Sequence, residues 1–251
     1  MTTADRSAVL LLSHGSRDPR AAYVVRELVA AVAERTGRVV RAAHLDFTAP
    51  TPDVALRRLA NDGFSAVRVV PLLFTPGYHL THDVPRAITA SGVADTVDVT
   101  VAPALLSADP ALRTLLLRAL VDRLTQAQAQ AQAGTEGTGL DGLVLASAGS
   151  SSPQARAVVA SLARDLGDVL GIPVMPAFAS AVTPSPVQAL EALSDKGIGR
   201  PAVASLFVAP GRLPDSVVAA CPDLPVADPL GVSPAFVELL VAQARVLSTA
   251  S

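Results

Sequence analysis

Cysteine, lysine, tryptophan and histidine are all scarce in this chain, and each shortage removes a class of function. Its 251 residues include one cysteine, Cys221. One cysteine cannot close an internal disulfide, build a Cys-based zinc site or hold an iron–sulfur cluster. Lys196 is the only lysine and it follows Asp195. The glycine-rich phosphate loop that ends in Gly-Lys-Ser/Thr is therefore absent. Schiff-base chemistry is nearly excluded, because it would have to fall to Lys196. With no tryptophan, two tyrosines and six phenylalanines, the rings are too few for a base-stacking platform. A formal net charge of −2 gives no general attraction to nucleic acid or an anionic membrane. No apolar stretch approaches the roughly 18 residues of a membrane span. Asp5 and a short apolar run before Ser13-His14-Gly15 do not read as a signal peptide, so the cytoplasm is the expected location.

What is abundant points to a packed domain. Half of the residues are hydrophobic and 17% are charged, which excludes a disordered chain. This balance suits an α/β protein whose strands are buried on both faces. The four histidines are unevenly spread: His14, His44, His79 and His82, with none after them.

The chain reads as an internal duplication. Ser13-His14-Gly15-Ser16-Arg17-Asp18-Pro19 resembles Ser147-Ala148-Gly149-Ser150-Ser151-Ser152-Pro153. Ala49-Pro50-Thr51-Pro52 resembles Thr183-Pro184-Ser185-Pro186, and Leu73-Phe74-Thr75-Pro76-Gly77 resembles Phe207-Val208-Ala209-Pro210-Gly211. All three pairs share one offset of 134 residues. A period this long means two copies of a domain, not a solenoid. The expected domains are 1–133 and 140–251. Between them the Ala/Gln run ends and Gly134–Gly139 makes a flexible joint.

Within each copy, short β-branched runs alternate with stretches of helical spacing. Strands are predicted at 8–12, 39–45, 66–73 and 97–102, then at 142–147, 174–177 and 202–207. Helices are predicted at 20–35, 52–61, 83–90 and 109–132, then at 153–170, 186–194, 214–220 and 234–247. Such alternation implies parallel sheets flanked by helices, Rossmann-like in each half.

In open parallel sheets, ligands bind at the carboxyl ends of the strands. His14 follows the first predicted strand, Asp46 the second, and His79 lies in the loop after the third. Two imidazoles and a carboxylate can hold a divalent transition metal with positions left open. Imidazole is also a base near neutral pH, with an ordinary pKa of about 6.5. The plain alternative is that each is a polar cap on its loop.

These residues carry a resemblance. His14-Gly15-Ser16-Arg17-Asp18-Pro19, with Pro76-Gly77-Tyr78-His79 and Asp83-Val84-Pro85, resembles the sirohydrochlorin chelatase family of the CbiX/SirB type. Residues 43–50 resemble its second-strand motif, with His44-Leu45-Asp46 where the family usually has Phe-Leu-Glu. Residues 204–214 resemble the second half of its long, two-domain members. The resemblance implies two Rossmann-like halves with the macrocycle in the cleft between them. It implies ATP-independent insertion of a divalent metal into sirohydrochlorin, a lyase reaction of sirohaem or cobalamin biosynthesis, with Fe²⁺ favoured and Co²⁺ next. The metal is then a substrate, and no tightly bound cofactor is expected. His14 and His79 would bind the metal and take the pyrrole protons, with Asp46 in the place of the family's glutamate.

The tetrapyrrole's carboxylates would want guanidinium or backbone N–H partners. By position, Gly15, Ser16, Arg17 and, in the second copy, Arg212 are the candidates, and Tyr78 would pack on the macrocycle or on its own loop. His44 shares a strand face with Asp46, and His82 shares a helical face with His79. Both are candidates to support the metal ligands. Cys221 reads as inert packing. The second copy has Ala148, Phe178 and Leu213 where the first has His14, His44 and His79, so it would serve as lid and carboxylate-binding wall. Two other functions compete: a metal or tetrapyrrole carrier, and a hydrolase. Histidine phosphatases carry Arg before His-Gly, and Ser13 stands there instead. A monomer or a homodimer fits equally.

Overall fold

The structure is a computed structural model and describes residues 6–106, 108–131, 139–180 and 182–245. The chain runs β1 (Ser7–Ser13), α1 (Pro19–Thr36), β2 (Val39–His44), α2 (Pro52–Asn61), β3 (Ala66–Pro71), a π-helical turn (His79–Asp83), α3 (Val84–Ser91), β4 (Asp98–Val101) and α4 (Pro110–Ala131). It continues with β5 (Gly142–Ser147), α5 (Pro153–Leu170), β6 (Val174–Phe178), α6 (Pro186–Ser194), β7 (Pro201–Leu206), α7 (Arg212–Ala220) and α8 (Pro234–Ala244). The predicted elements are all present, most within two residues of their expected ends. Two small parallel sheets result, ordered β2-β1-β3-β4 and β6-β5-β7. The α/β architecture is the expected one. The joint expected at 134–139 lies outside the described residues except for Gly139.

The helix limits follow from local chemistry repeated at the 134-residue offset. The Asp18 side chain caps α1 by accepting from the Arg20 N–H, Pro19 opens the helix, and Gly37 closes it at φ +64°. Ser152, Pro153 and Gly171 do the same for α5. A polar N-cap, a proline at the first turn and a left-handed glycine after the last turn are the residues that helix ends favour. The 49–50 and 183–184 peptide bonds, again one repeat apart, are both cis.

Burial follows from the strand order. Residues 8–12 of β1 and all of β5 are buried, as central strands covered on both faces must be. Ala8, Leu10 and Leu12 join Ala55, Leu56 and Leu59 of α2 in the first core, while Val9 and Leu11 alternate to the opposite face. Val144 and Ala146 join Ala189, Leu193 and Val217 in the second core.

The two compact units are not the two sequence halves. One contains residues up to Arg113 together with the chain from Phe236 onward, and the other contains Thr114–Ala235. Most of α4 therefore belongs with the second sheet, and α8 with the first. These units divide the chain elsewhere than the limits 1–133 and 140–251 expected from the repeat. Helix α8 is apolar almost all round, with Phe236, Leu239 and Leu240 fully buried, and such a helix needs cover on every side. Its last turn is tied down by the first unit. Arg68 Nε donates to the Gln243 carbonyl at 3.2 Å, Arg38 donates to the Ala244 carbonyl at 3.1 Å, and Gln243 Nε2 donates to the Pro103 carbonyl at 3.0 Å. Cations at a helix C-terminus satisfy carbonyls left without intrahelical partners. Replacing Arg68 by Ala removes one such charge-assisted bond. Urea unfolding should show a loss of about 1–3 kcal/mol, and an unchanged midpoint would mean that Arg68 does not hold α8.

Candidate functional site

The site forms where β1, β2 and β3 end together. Ser13 is in register with His44, and Leu12 with Pro71, so the loops that follow all leave one sheet edge. The first two loops are sewn together. The Leu45 and Asp46 N–H groups donate to the Ser13 and His14 carbonyls at 3.0 and 2.8 Å. The Thr48 hydroxyl donates to the Ser16 carbonyl at 3.0 Å. Gly15, at φ +94°, permits the approach, because a Cβ there would lie 1.8 Å from the Asp46 carbonyl oxygen. The third loop ends in the π turn, which carries His79.

This arrangement brings His14 and His79 together, with ring centroids 4.8 Å apart and planes tilted by 49°. Two imidazolium ions this close would repel. Loss of hydration by burial lowers the His14 pKa, and the neighbouring His79 lowers it further, while Asp46 and Asp83 partly offset both. The balance shifts His14 toward its neutral form, the one that binds metals and accepts protons. His79 Nδ1 lies 2.7 Å from Asp83 Oδ2. An ionised carboxylate only accepts, so Nδ1 carries the hydrogen and Nε2 is left for another partner. Arg86 lies 3.3 Å from the other Asp83 oxygen. Asp83 had no expected role, although its i,i+4 spacing from His79 was visible.

Asp46 stands apart from the imidazole pair. Among the described residues, no three His, Cys, Asp or Glu side chains gather closely enough to hold a metal ion. The expected trio His14, Asp46 and His79 is therefore an imidazole pair with a carboxylate nearby. The reason is local: Asp46 Oδ1 accepts from the Phe47 N–H at 2.8 Å. Asp46, His79, Asp83 and Arg86 still line one cleft of about 300 Å³.

The other expected residues divide. The Ser16 N–H points to the Thr48 hydroxyl at 3.4 Å and its Oγ accepts from the Asp18 N–H at 3.0 Å. Both groups thus take part in the loop structure. Arg17 is exposed, with its guanidinium 4.9 Å from the centre of the Phe47 ring. Tyr78 is exposed and stacks on His82 at 4.5 Å, and His82 Nδ1 lies 2.8 Å from the Thr81 hydroxyl. That pair occupies the outer side of the π turn, and His82 does not join the His14–His79 contact. Arg212 is exposed at the start of α7 in the second unit. Cys221 is buried, and burial raises its thiol pKa, as expected of inert packing. Phe47 was not anticipated: its ring meets His14 edge-on at 6.0 Å.

His44 is buried and lies 2.7 Å through Nδ1 from the Ser13 hydroxyl. Burial lowers its pKa. The sign of the resulting pH effect is fixed. The unfolded histidine binds a proton near pH 6.5, and the folded one does so only at lower pH, so stability falls as pH drops through that window. In the second unit Phe178 fills the equivalent place, and Ser147 donates to the Ala177 carbonyl at 3.4 Å. His44→Phe should therefore fold, and its melting temperature should fall less than that of the parent between pH 6.5 and 5. Parallel melting curves over that range would refute the burial argument.

Known proteins share both the sequence and the fold. The CbiX family model matches residues 8–126 and again 142–247. A sirohydrochlorin cobaltochelatase of Methanococcoides burtonii is 30% identical over 86 residues, covering 34% of this chain and 66% of the relative. Another, from Saccharolobus islandicus, is 37% identical over 84 residues, 34% of this chain and 65% of the relative. The solved structure of SirB from Bacillus subtilis with Fe³⁺ superimposes with a TM-score of 0.77 at 20% identity, covering 95% of this chain and 94% of that one. The sequence matches span about two thirds or less of these relatives' length, and the superposition concerns fold alone. The family model, however, matches each half of the chain in turn, and on that ground the chain belongs to the CbiX family.

Proposed function

We propose that this chain inserts a divalent metal ion into sirohydrochlorin without ATP, as a cytoplasmic chelatase, with Fe²⁺ favoured and Co²⁺ next as the metal substrate. The observation that carries the reading is the His14–His79 pair, 4.8 Å between ring centres. The names of the relatives, sirohydrochlorin cobaltochelatases, agree with it.

The residues supply what the reaction needs. A metal ion must be held by few ligands, so that it can be passed on. Two imidazole ligands suit Fe²⁺ and Co²⁺ and leave most coordination positions open. As the metal enters the macrocycle, two pyrrole protons must leave. The same imidazoles accept them once they release the metal. Asp83 holds the His79 ring through Nδ1 and so aims Nε2. Asp46 is the third group of the site. Turning from the Phe47 N–H, it would add a carboxylate to the imidazoles or take a proton from one. In this reading Arg17 and Arg212 meet substrate carboxylates.

Anaerobic incubation of the purified chain with sirohydrochlorin and Fe²⁺, Co²⁺ or Ni²⁺ tests the reading. Multiple turnovers above the spontaneous rate are expected with Fe²⁺ or Co²⁺. Stoichiometric binding without turnover would make the chain a carrier and overturn the proposal. His14→Ala and His79→Ala should each reduce insertion to the spontaneous rate. Asp83→Asn should lower it about 10–100-fold, the usual effect of removing a histidine's carboxylate partner.

A further inference from the structure

Phe47 is the one non-glycine residue with a positive φ among the described residues, at +59°. Bulky side chains hold that conformation only where their surroundings over-determine it. Here the surroundings do so from both sides. The Phe47 N–H donates to Asp46 Oδ1 at 2.8 Å, and the Thr48 N–H donates to the Asp46 carbonyl at 2.7 Å. Thr48 is in turn bonded to Ser16. The outcome is a large apolar ring that is 53% exposed where burial would be favourable. A strained backbone that holds an apolar ring out in solvent calls for a role beyond folding.

The ring's contacts indicate that role. Its face lies under the Arg17 guanidinium at 4.9 Å, and His14 meets it edge-on at 6.0 Å. Arg17 is exposed and has no carboxylate partner among the described residues. By contrast, Arg20, Arg57 and Arg86 pair with Asp18, Asp53 and Asp83. A guanidinium stacked on an aromatic face is fixed in orientation while its N–H edge stays free. The internal repeat gives independent support. Where the first copy has His14, Arg17 and Phe47, the second has Ala148, Ser151 and Ala181, so the cation and its ring are absent from the copy without the imidazole.

We propose that Phe47 is a positioning residue that seats Arg17 at a fixed distance from His14, so that a carboxylate on the rim of the macrocycle is clamped while its central nitrogens face the imidazole pair. This rests on the chelatase reading above and gives it a selectivity: macrocycles without an anionic rim should gain nothing from Phe47.

The test uses the full chain with Phe47→Leu, Phe47→Tyr, Arg17→Ala and the Phe47→Leu/Arg17→Ala double variant. Metal-free sirohydrochlorin is titrated by absorbance, and Co²⁺ insertion is followed at steady state. Phe47→Leu should raise the Kd and KM for sirohydrochlorin roughly fivefold, about the value of one cation–π contact. The KM for Co²⁺ and kcat should stay within a factor of about two, since a rim clamp acts on macrocycle binding. Phe47→Tyr should restore parental values. In the Arg17→Ala background, Phe47→Leu should add no further loss, because the two act as one device. An unchanged Kd in Phe47→Leu, a tyrosine variant that fails to restore it, or losses that multiply in the double variant would each overturn the proposal. Should Phe47→Leu not fold, Arg17→Ala decides, because an unchanged Kd there leaves Phe47 nothing to position. If the parent binds sirohydrochlorin but inserts no metal, the chelatase reading falls and the titrations still judge Phe47. If the parent inserts metal and all variants equal it, only the Phe47 inference falls. If the parent neither binds nor inserts, both fall.

Discussion

Two imidazoles held 4.8 Å apart are the constraint around which the first unit is organised. The arrangement is unfavourable for charged rings, since like charges this close repel. It persists because each ring has its own support. Asp83 holds His79 from behind through a 2.7 Å contact. His14 is placed by the backbone of its own loop, which is bonded to the loop after β2. The two supports come from different strands. Their meeting point is therefore set by sheet register, not by any single loop. The missing Cβ of Gly15 lets the loops approach closely enough for this to work.

The duplication separates scaffold from chemistry. Gly149 has the same left-handed backbone as Gly15. The Ala179 and Ser180 N–H groups repeat the loop-to-loop bonds of Leu45 and Asp46, yet Ala148 stands where His14 does. The turn geometry thus belongs to the fold and not to the imidazole. The π turn behaves in the opposite way. At the place of His79–Asp83, the second unit has the regular helix α7, which starts from Gly211. A π turn sacrifices regular i→i−4 bonding and is found frequently at functional sites. Here it coincides with two i,i+4 side-chain pairings, the hydrogen-bonded His79 with Asp83 and the stacked Tyr78 with His82. The irregularity follows the side-chain chemistry.

Most of the fold was legible because its signals are local. Asp18-Pro19 and Ser152-Pro153 announce helix starts, Gly37 and Gly171 announce their ends, and β-branched runs mark buried strands. The exchange of α4 and α8 between units was not legible. Phe236, Leu239 and Leu240 say that α8 is buried, but an apolar surface does not name its partner. Arg38 and Arg68, which fasten it, lie far away in sequence. In the site, strand-end topology put His14 and His79 at one sheet edge, where their rings meet. It could not reveal that Asp46 would be engaged by the Phe47 N–H, because that depends on one backbone dihedral. Phe47 was missed for the same reason: nothing in Asp46-Phe47-Thr48 signals a positive φ.

The placement of the carboxylates agrees with separate supports for the two rings. A carboxylate placed against both rings would favour the protonated forms and hold a metal more firmly. Desolvation and mutual repulsion instead shift His14 toward its neutral form, and the one carboxylate in hydrogen-bond contact with the pair, Asp83, is behind His79 at Nδ1. It can orient and polarise that ring while leaving Nε2 free. Asp46 is near enough to be felt electrostatically by His14, yet its Oδ1 is bonded to a backbone N–H. In the proposed reading such a site would favour transfer over storage: two nitrogen ligands would hold a divalent ion weakly, and a carboxylate in reserve would take up charge when protons arrive.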